Sequence, residues 1–265
     1  MELVVAARSD VGMIRAGNED NFHTKTDDTG GIFIVADGMG GHAAGEVASE
    51  MAVEILRDQL SALRDLHDRN AADKVMNALR GANLAIYNRT VTETDKQGMG
   101  TTASVLIISG RRYLIGQVGD SRIYLLRDGV LRQLTKDHSY VQEQVDAGFL
   151  TPEQARYHPY SNVITRCVGA SDDVEPDSFA GETRDGDLFL VASDGLTGMV
   201  DDRRLQQLLL SRAEPQRIVD SLIAEANGRG GLDNITAVLV VVRGTGEAID
   251  SARTIEAPAW RPKQG

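Results

Sequence analysis

Apolar residues in this chain recur with two different periods. Leu3 to Ala7 and Ile32 to Ala36 are short apolar runs bounded by turn residues, which predicts strands. From Gly45 to about Leu63 the period lengthens. Val47, Met51 and Ile55 return every four residues, with Ala48, Ala52 and Leu56 beside them. Ala71 to about Val91 repeats the pattern with Val75, Leu79, Ala82 and Ile86, and both segments read as amphipathic helices. The centre returns to strands at Thr102 to Ser109, Arg112 to Val118, Arg122 to Leu126 and Val130 to Leu134. Gly110, the Gly119-Asp120 pair and Asp128-Gly129 separate them, as hairpins are punctuated. Residues 137–169 follow no single period. Leu188 to Ala192 reads as a strand, and Asp201 to about Ser211 as a helix. A further helix is predicted over Pro215 to Asn227, with proline in its first turn and Gly228 just past its end. Ile235 to Val242 is a final β-branched strand.

Helices thus arrive in pairs between groups of strands and do not alternate singly with them. This predicts an α+β fold, with antiparallel sheet and segregated helices, over a doubly wound parallel sheet. Residues 1–243 form one expected domain. Residues 244–265 hold two of the six prolines, scattered charges and the only tryptophan, and are expected to form a flexible tail.

Composition narrows the class. The chain has 265 residues, 39 acidic and 28 basic, for a formal net charge of −11. Such a surface repels phosphate backbones and anionic lipid, so a nucleic-acid partner is not expected. One cysteine, Cys167, excludes an intramolecular disulfide framework and a multi-cysteine zinc site. The start, Met1-Glu2 followed by Leu3 to Ala7, has neither the charge nor the length of a secretory signal. The longest apolar stretch, Ala237 to Val242, is far short of the ~20 residues a membrane span needs. A cytoplasmic, reducing setting is the expectation.

The acids divide into 25 Asp and 14 Glu, and several Asp fall where strands begin or end. Asp20 precedes a short strand, Asn21 to Lys25, and Asp37 follows Ile32 to Ala36. Asp120 sits in a turn, Asp194 follows Leu188 to Ala192, and Asp233 precedes Ile235 to Val242. Strand exits adjoin neighbouring entrances in antiparallel sheet, so all five could share one sheet edge. Each Asp-Gly or Asp-Asn alone is also an ordinary turn signal. Carboxylates gathered without matching lysines raise one another's pKa, a penalty that hard divalent cations remove.

The residues around these acids resemble the metal-dependent protein phosphatase family, the PPM or protein phosphatase 2C-like group, in its bacterial branch. The resemblance runs in family order through SDVGMIRAGNEDNF (Ser9 to Phe22), FIVADGMGGHAAGEVAS (Phe33 to Ser49), GMGTT (Gly98 to Thr102) and VGDSRIYLLRDG (Val118 to Gly129). It continues through LTKDHS (Leu134 to Ser139), HPYSNVITRCVG (His158 to Gly169), ASDGLTGMV (Ala192 to Val200) and GGLDNITAVLV (Gly230 to Val240).

The resemblance implies an antiparallel β-sandwich flanked by helices on both sides, in αββα layers, with a metal site at one end. Carried over by position, Asp37, Asp194 and Asp233 would hold one Mn²⁺ or Mg²⁺, and Asp37 would bridge to a second. The Gly38 carbonyl would meet the second ion, with Asp20 close by and Glu19 acting through water. Asp120 with Asp194 matches a third, weaker site. Two such ions lower the pKa of a bridging water, and the resulting hydroxide would attack phosphorus directly in phosphoserine or phosphothreonine. Arg15 matches the family's phosphate-binding arginine, against the alternative of a solvated surface residue. Where many relatives carry a histidine after Asp-Gly, as proton donor, this chain has Met39. His42 is either the substitute donor or a helix-entry residue, and water is the other candidate donor. Asp173 stands six residues after Cys167, where a cysteine-dependent phosphatase needs arginine, so Cys167 reads as a small buried hydrophobe. Residues 137–169 resemble the family's variable flap. The implied partners are phosphorylated proteins and a cognate serine/threonine kinase, with the enzyme a monomer. Alternatives are a phosphatase dedicated to one regulatory substrate and a non-catalytic phosphoprotein-binding module. The latter is expected to lose metal ligands, and all five Asp are present here.

Overall fold

The structure, a computed structural model, describes residues 1–40, 44–211 and 213–244. Three strands open the chain: β1 (Glu2–Asp10), β2 (Asp20–Asp27) and β3 (Gly30–Met39). Two long helices follow, α1 (Ala44–Leu60) and α2 (Ala71–Thr92). A two-residue strand, β4 (Gly100–Thr101), precedes the hairpins β5 (Ala103–Ser109) to β6 (Arg112–Val118) and β7 (Arg122–Arg127) to β8 (Val130–Gln133). Short helices α3 (Tyr140–Asp146) and α4 (Pro152–Arg156) lead to β9 (Asp177–Glu182) and β10 (Leu188–Ala192). The chain then forms α5 (Asp194–Thr197), α6 (Asp202–Leu209), α7 (Pro215–Gly228) and β11 (Ile235–Arg243).

The strands form two antiparallel sheets. One runs β1-β11-β10-β7-β8, the other β2-β3-β5-β6-β9 with β4 paired to β3. Strand alternation builds three apolar layers from them. On β3, Phe33 and Val35 face the opposite sheet, while Ile32, Ile34 and Ala36 face α1 and α2. On β11, Val238, Val240 and Val242 point between the sheets, while Ala237 and Leu239 pack with Leu222 and Ile223 of α7. Both faces of the central strands are therefore buried, which is why they read as unbroken apolar runs. Each such side chain stabilises the sandwich by roughly 1.5–3 kcal/mol relative to exposure. The result is the expected αββα order of layers.

Three features depart from the sequence expectation. The Gly119-Asp120 turn is not a hairpin, because β6 and β7 lie in different sheets and the chain crosses the sandwich there. Gly119 supplies the φ of +103° that this crossing takes. Strand β9 carries polar residues in place of an apolar run, since it sits at a sheet edge beside β6 only, and it was not predicted. Asp194 does not merely follow a strand: it opens the one-turn helix α5. Residues 137–169 contain α3 and α4, each started by a side-chain cap from Ser139 and Thr151. The expected tail lies outside the described residues from position 245 onward, as does His42.

Candidate active site

The candidate acids collect at one end of the sandwich, contributed by both sheets and not by a single sheet edge. Asp20 and Asp37 are direct partners across the β2–β3 ladder. Asp194 and Asp233 sit at the adjacent ends of β10 and β11, from the other sheet. Asp120 lies on the crossing between the sheets. The sequence argument required only neighbouring strand ends, and a sandwich brings two sets of them together.

Hydroxyl and amide groups hold this end in place. Ser193 Oγ and Thr236 Oγ1 both donate to Asp20 Oδ2, at 2.7 Å and 2.6 Å. The Asp37 amide donates to Thr102 Oγ1 at 2.9 Å, and its carbonyl accepts from the Thr102 amide and the Thr101 hydroxyl. Asn234 ties the N-terminal loop to β11. Its Oδ1 accepts from the Glu19 amide at 2.7 Å, and its Nδ2 donates to the carbonyls of Val11 and Gly17 at 2.9 Å. His138 receives the Gly119 amide on Nδ1 at 3.1 Å and so braces the Asp120 turn. None of Ser193, Thr236, Thr102, Asn234 or His138 was singled out from sequence as a site residue. They sit inside the motifs ASDG, LDNIT, GMGTT and LTKDHS, but their role depends on contacts between distant segments.

Gly38 illustrates a constraint of space. A Cβ there would collide with the Gly45 and Glu19 carbonyls, so β3 packs closely against the first turn of α1 and the backbone of Glu19. Gly12 is constrained in both space and conformation. Its φ is +79°, and a side chain would run into the Asp233 carbonyl.

Two adjoining cavities open onto the acids. The smaller, about 300 Å³, is lined by Arg15, Glu19, Asp37, Gly38, Asp194 and Asp233. The larger, about 730 Å³, shares Arg15, Asp194 and Asp233, adds Asp120, and extends beneath α3 and α4. Asp20 lines neither and stays buried behind them. Arg15 is half-exposed and its Nη2 lies 2.7 Å from Asp233 Oδ2.

The electrostatics are those of crowded, desolvated acids. Burial raises the pKa of Asp20 to about 7, opposed by its two hydroxyl donors and reinforced by Asp194 and Asp233. Asp37 is raised well above the ordinary range by desolvation, then by Asp20, Asp194, Asp120 and Asp233. Asp120 and Asp194 are raised too, first by burial and next by Asp194 and Asp233 respectively. The nearby Asp37 side chain partly offsets the rise at Asp194. Oδ1 of Asp20, of Asp120 and of Asp194 is buried with no hydrogen-bond partner. Buried unpartnered carboxylate oxygens are costly in protein alone and are the donors that Mg²⁺ and Mn²⁺ take. Among the described residues no three acids, histidines or cysteines already encircle a point where one ion would sit. Those of Asp120 and Asp194 belong to residues that line a cavity, where water completes the coordination of small hard cations, so the donor set fits such ions.

The comparisons agree with this reading of the fold. The profile for the family described as Protein phosphatase 2C matches residues 15–225. The chain is 42% identical over 237 residues to serine/threonine phosphatase stp of Listeria monocytogenes, covering 88% of this chain and 93% of that one. The crystal structure of the Mycobacterium tuberculosis serine/threonine phosphatase PstP/Ppp is similar with a TM-score of 0.83 at 40% identity, over 91% of this chain and 99% of that one. A structure of the PstP catalytic domain in complex with two manganese ions is similar with a TM-score of 0.79 at 39% identity, over 91% and 98% of the two chains. The chain belongs to the protein phosphatase 2C family. That family is metal-dependent.

Proposed function

We propose that the acid-lined end of this sandwich removes phosphoryl groups from phosphoserine and phosphothreonine side chains of proteins. The chain is a protein serine/threonine phosphatase, a hydrolase acting on phosphoproteins. The observation that carries the site assignment is the set of buried, unpartnered oxygens on Asp120 and Asp194, lining residues of a cavity that also presents Arg15, and on Asp20 buried behind it.

Asp37, Asp194 and Asp233 would hold a first divalent cation, Mn²⁺ or Mg²⁺. Asp37 and the Gly38 carbonyl would reach a second, with Glu19 bearing on it through water and Asp20 supporting from behind. Asp120 with Asp194 would form a third, weaker site. Bound there, such cations acidify water near neutral pH and withdraw charge from phosphoryl oxygens. Arg15 contributes a planar fork suited to two phosphate oxygens, and its half-exposed position leaves donors free to turn from Asp233 toward substrate. The hydroxyls of Ser193 and Thr236 fix the Asp20 carboxyl, and Asn234 fixes the loop that carries Glu19. The proton for the leaving alcohol comes from His42, which lies outside the described residues, or from water.

The same proposal includes a cognate serine/threonine kinase that the enzyme opposes, a monomeric state and a cytoplasmic setting. It also takes residues 1–243 as the catalytic domain. Among the described residues no helix is long and apolar enough to cross a membrane. The test is hydrolysis of a phosphothreonine peptide and of p-nitrophenyl phosphate, with Mn²⁺ and after EDTA. Turnover that needs Mn²⁺ and stops with EDTA is expected. Turnover that survives complete metal removal contradicts the metal-holding roles.

A further inference from the structure

Exposed apolar surface gathers beside the site. Val11, Met13 and Ile14 lie on the loop leading to Arg15, and Leu232 on the loop leading to Asp233. They are 38%, 66%, 68% and 57% exposed. The two loops are fastened together: the Met13 amide donates to the Gly231 carbonyl at 2.8 Å, and Asn234 Nδ2 reaches the Val11 carbonyl. Four large apolar side chains therefore share one backbone-braced platform. Scattered exposed apolar residues are ordinary, but a group on adjoining loops at the mouth of a cleft marks a binding surface.

The cleft continues that surface inward. Leu232 and Met199 line the 730 Å³ cavity, together with Val141 and Val145 of α3 and Pro152 and Ala155 of α4. Its charged lining beyond the metal-site acids is balanced, with Asp137, Asp201 and Asp202 against Arg15, Arg122 and Arg156. Arg122 is engaged in a bidentate bond with Asp137, so it is not free for an acidic ligand.

We propose that this platform binds the polypeptide carrying the phosphorylated residue and favours apolar residues next to it. The proposal rests on the phosphatase reading above. The occupant is identified by continuity: Arg15 and Asp233 belong to the site, Ile14 and Leu232 are their chain neighbours, and a peptide placing its phosphoryl group there passes over them. A small phosphate ester would leave the platform uncovered.

The experiment compares p-nitrophenyl phosphate with two phosphothreonine peptides, one flanked by leucines and one by aspartates, all with Mn²⁺. Wild type is expected to prefer the leucine peptide by about tenfold in kcat/KM, the scale of one apolar pocket contact. The Ile14→Ser/Leu232→Ser variant should lose that preference through KM, with p-nitrophenyl phosphate turnover held within about twofold. Equal losses on all three substrates, or a variant that keeps the preference, overturn the proposal. A wild type active on both peptides but indifferent to their flanks overturns it without any variant. A wild type inactive on every substrate overturns the phosphatase reading instead, so the two failures are distinguishable.

Discussion

Asp20 and Asp37 face each other directly across the β2–β3 ladder, two acids at a position where cross-strand partners normally attract. Asp20 is buried and its pKa stands at about 7, and that of Asp37 is also raised well above the ordinary range, by burial and by Asp20 itself. In metal-free protein this pair is a local destabilisation. The folded state holds protons that the unfolded chain releases near pH 4, so stability falls as pH rises from about 4 to 7. EDTA-treated protein should accordingly melt at a higher temperature at pH 5.5 than at pH 7.5. Mn²⁺ at 100 times its Kd should add about 2.7 kcal/mol at pH 7.5, by mass action. Scanning calorimetry reads both, and a melting temperature indifferent to Mn²⁺ would contradict cation binding by this cluster.

Arg15 bonds Asp233 through one guanidinium nitrogen at 2.7 Å while half its side chain remains exposed. Replacing it with alanine removes the phosphate fork and leaves the carboxylates in place. Arg15→Ala should raise KM for a phosphothreonine peptide about tenfold or more, the worth of one or two charge-assisted hydrogen bonds. Arg15→Lys should recover part of the loss, since charge returns but the fork does not. Steady-state kinetics decide it, and an unchanged KM in Arg15→Ala removes the residue from substrate binding.

Asn234 makes three hydrogen bonds to backbone groups of residues 11–19, and no other side chain of the site spans those segments so fully. Asn234→Ala leaves a part-buried amide and two part-buried carbonyls without these partners. Stability should fall by about 2–4 kcal/mol, at about 1 kcal/mol or more for each unsatisfied group. Because the loop carries Glu19 toward the cavity, Mn²⁺ affinity should weaken as well. Calorimetric melting with a Mn²⁺ titration separates the two effects, and a variant unchanged in both would show that the loop is held by other means.

Cys167 is half-buried, and burial pushes its thiol pKa upward, away from the nucleophilic thiolate. Cys167→Ser should keep wild-type turnover within about twofold, and iodoacetamide should not abolish activity. Loss of turnover in the serine variant would point to chemistry that the acid cluster does not explain.

Much of this arrangement was legible in the chain because its signals are local. The alternation of Phe33 and Val35 with Ile32, Ile34 and Ala36 announces a strand buried on both faces, whichever sheet it joins. Asp37, Asp194 and Asp233 stand out because each ends or begins such a run. What stayed hidden depends on tertiary placement. The turn at Gly119 looks the same in sequence whether it closes a hairpin or crosses between sheets. Strand β9 carries no apolar run, so pairing with β6 alone decides it. Ser193, Thr236 and Asn234 are common polar residues whose partners lie about 170 to more than 210 positions away in sequence, a separation no local pattern encodes.

In the proposed site Asp37 would join the cations to the reaction, and the turnover of Asp37→Asn reports on that role. The substitution keeps the shape of the side chain and the backbone bonds to Thr101 and Thr102, while removing the carboxylate that faces Asp20, Asp194, Asp120 and Asp233. With saturating Mn²⁺ and a phosphothreonine peptide, kcat should fall by about a thousandfold, as expected when a metal-binding charge is lost from such a centre. Circular dichroism and melting should show a folded protein, with metal-free stability equal to or above wild type because a buried charge is gone. A folded Asp37→Asn variant that retains kcat within tenfold of wild type would contradict the account.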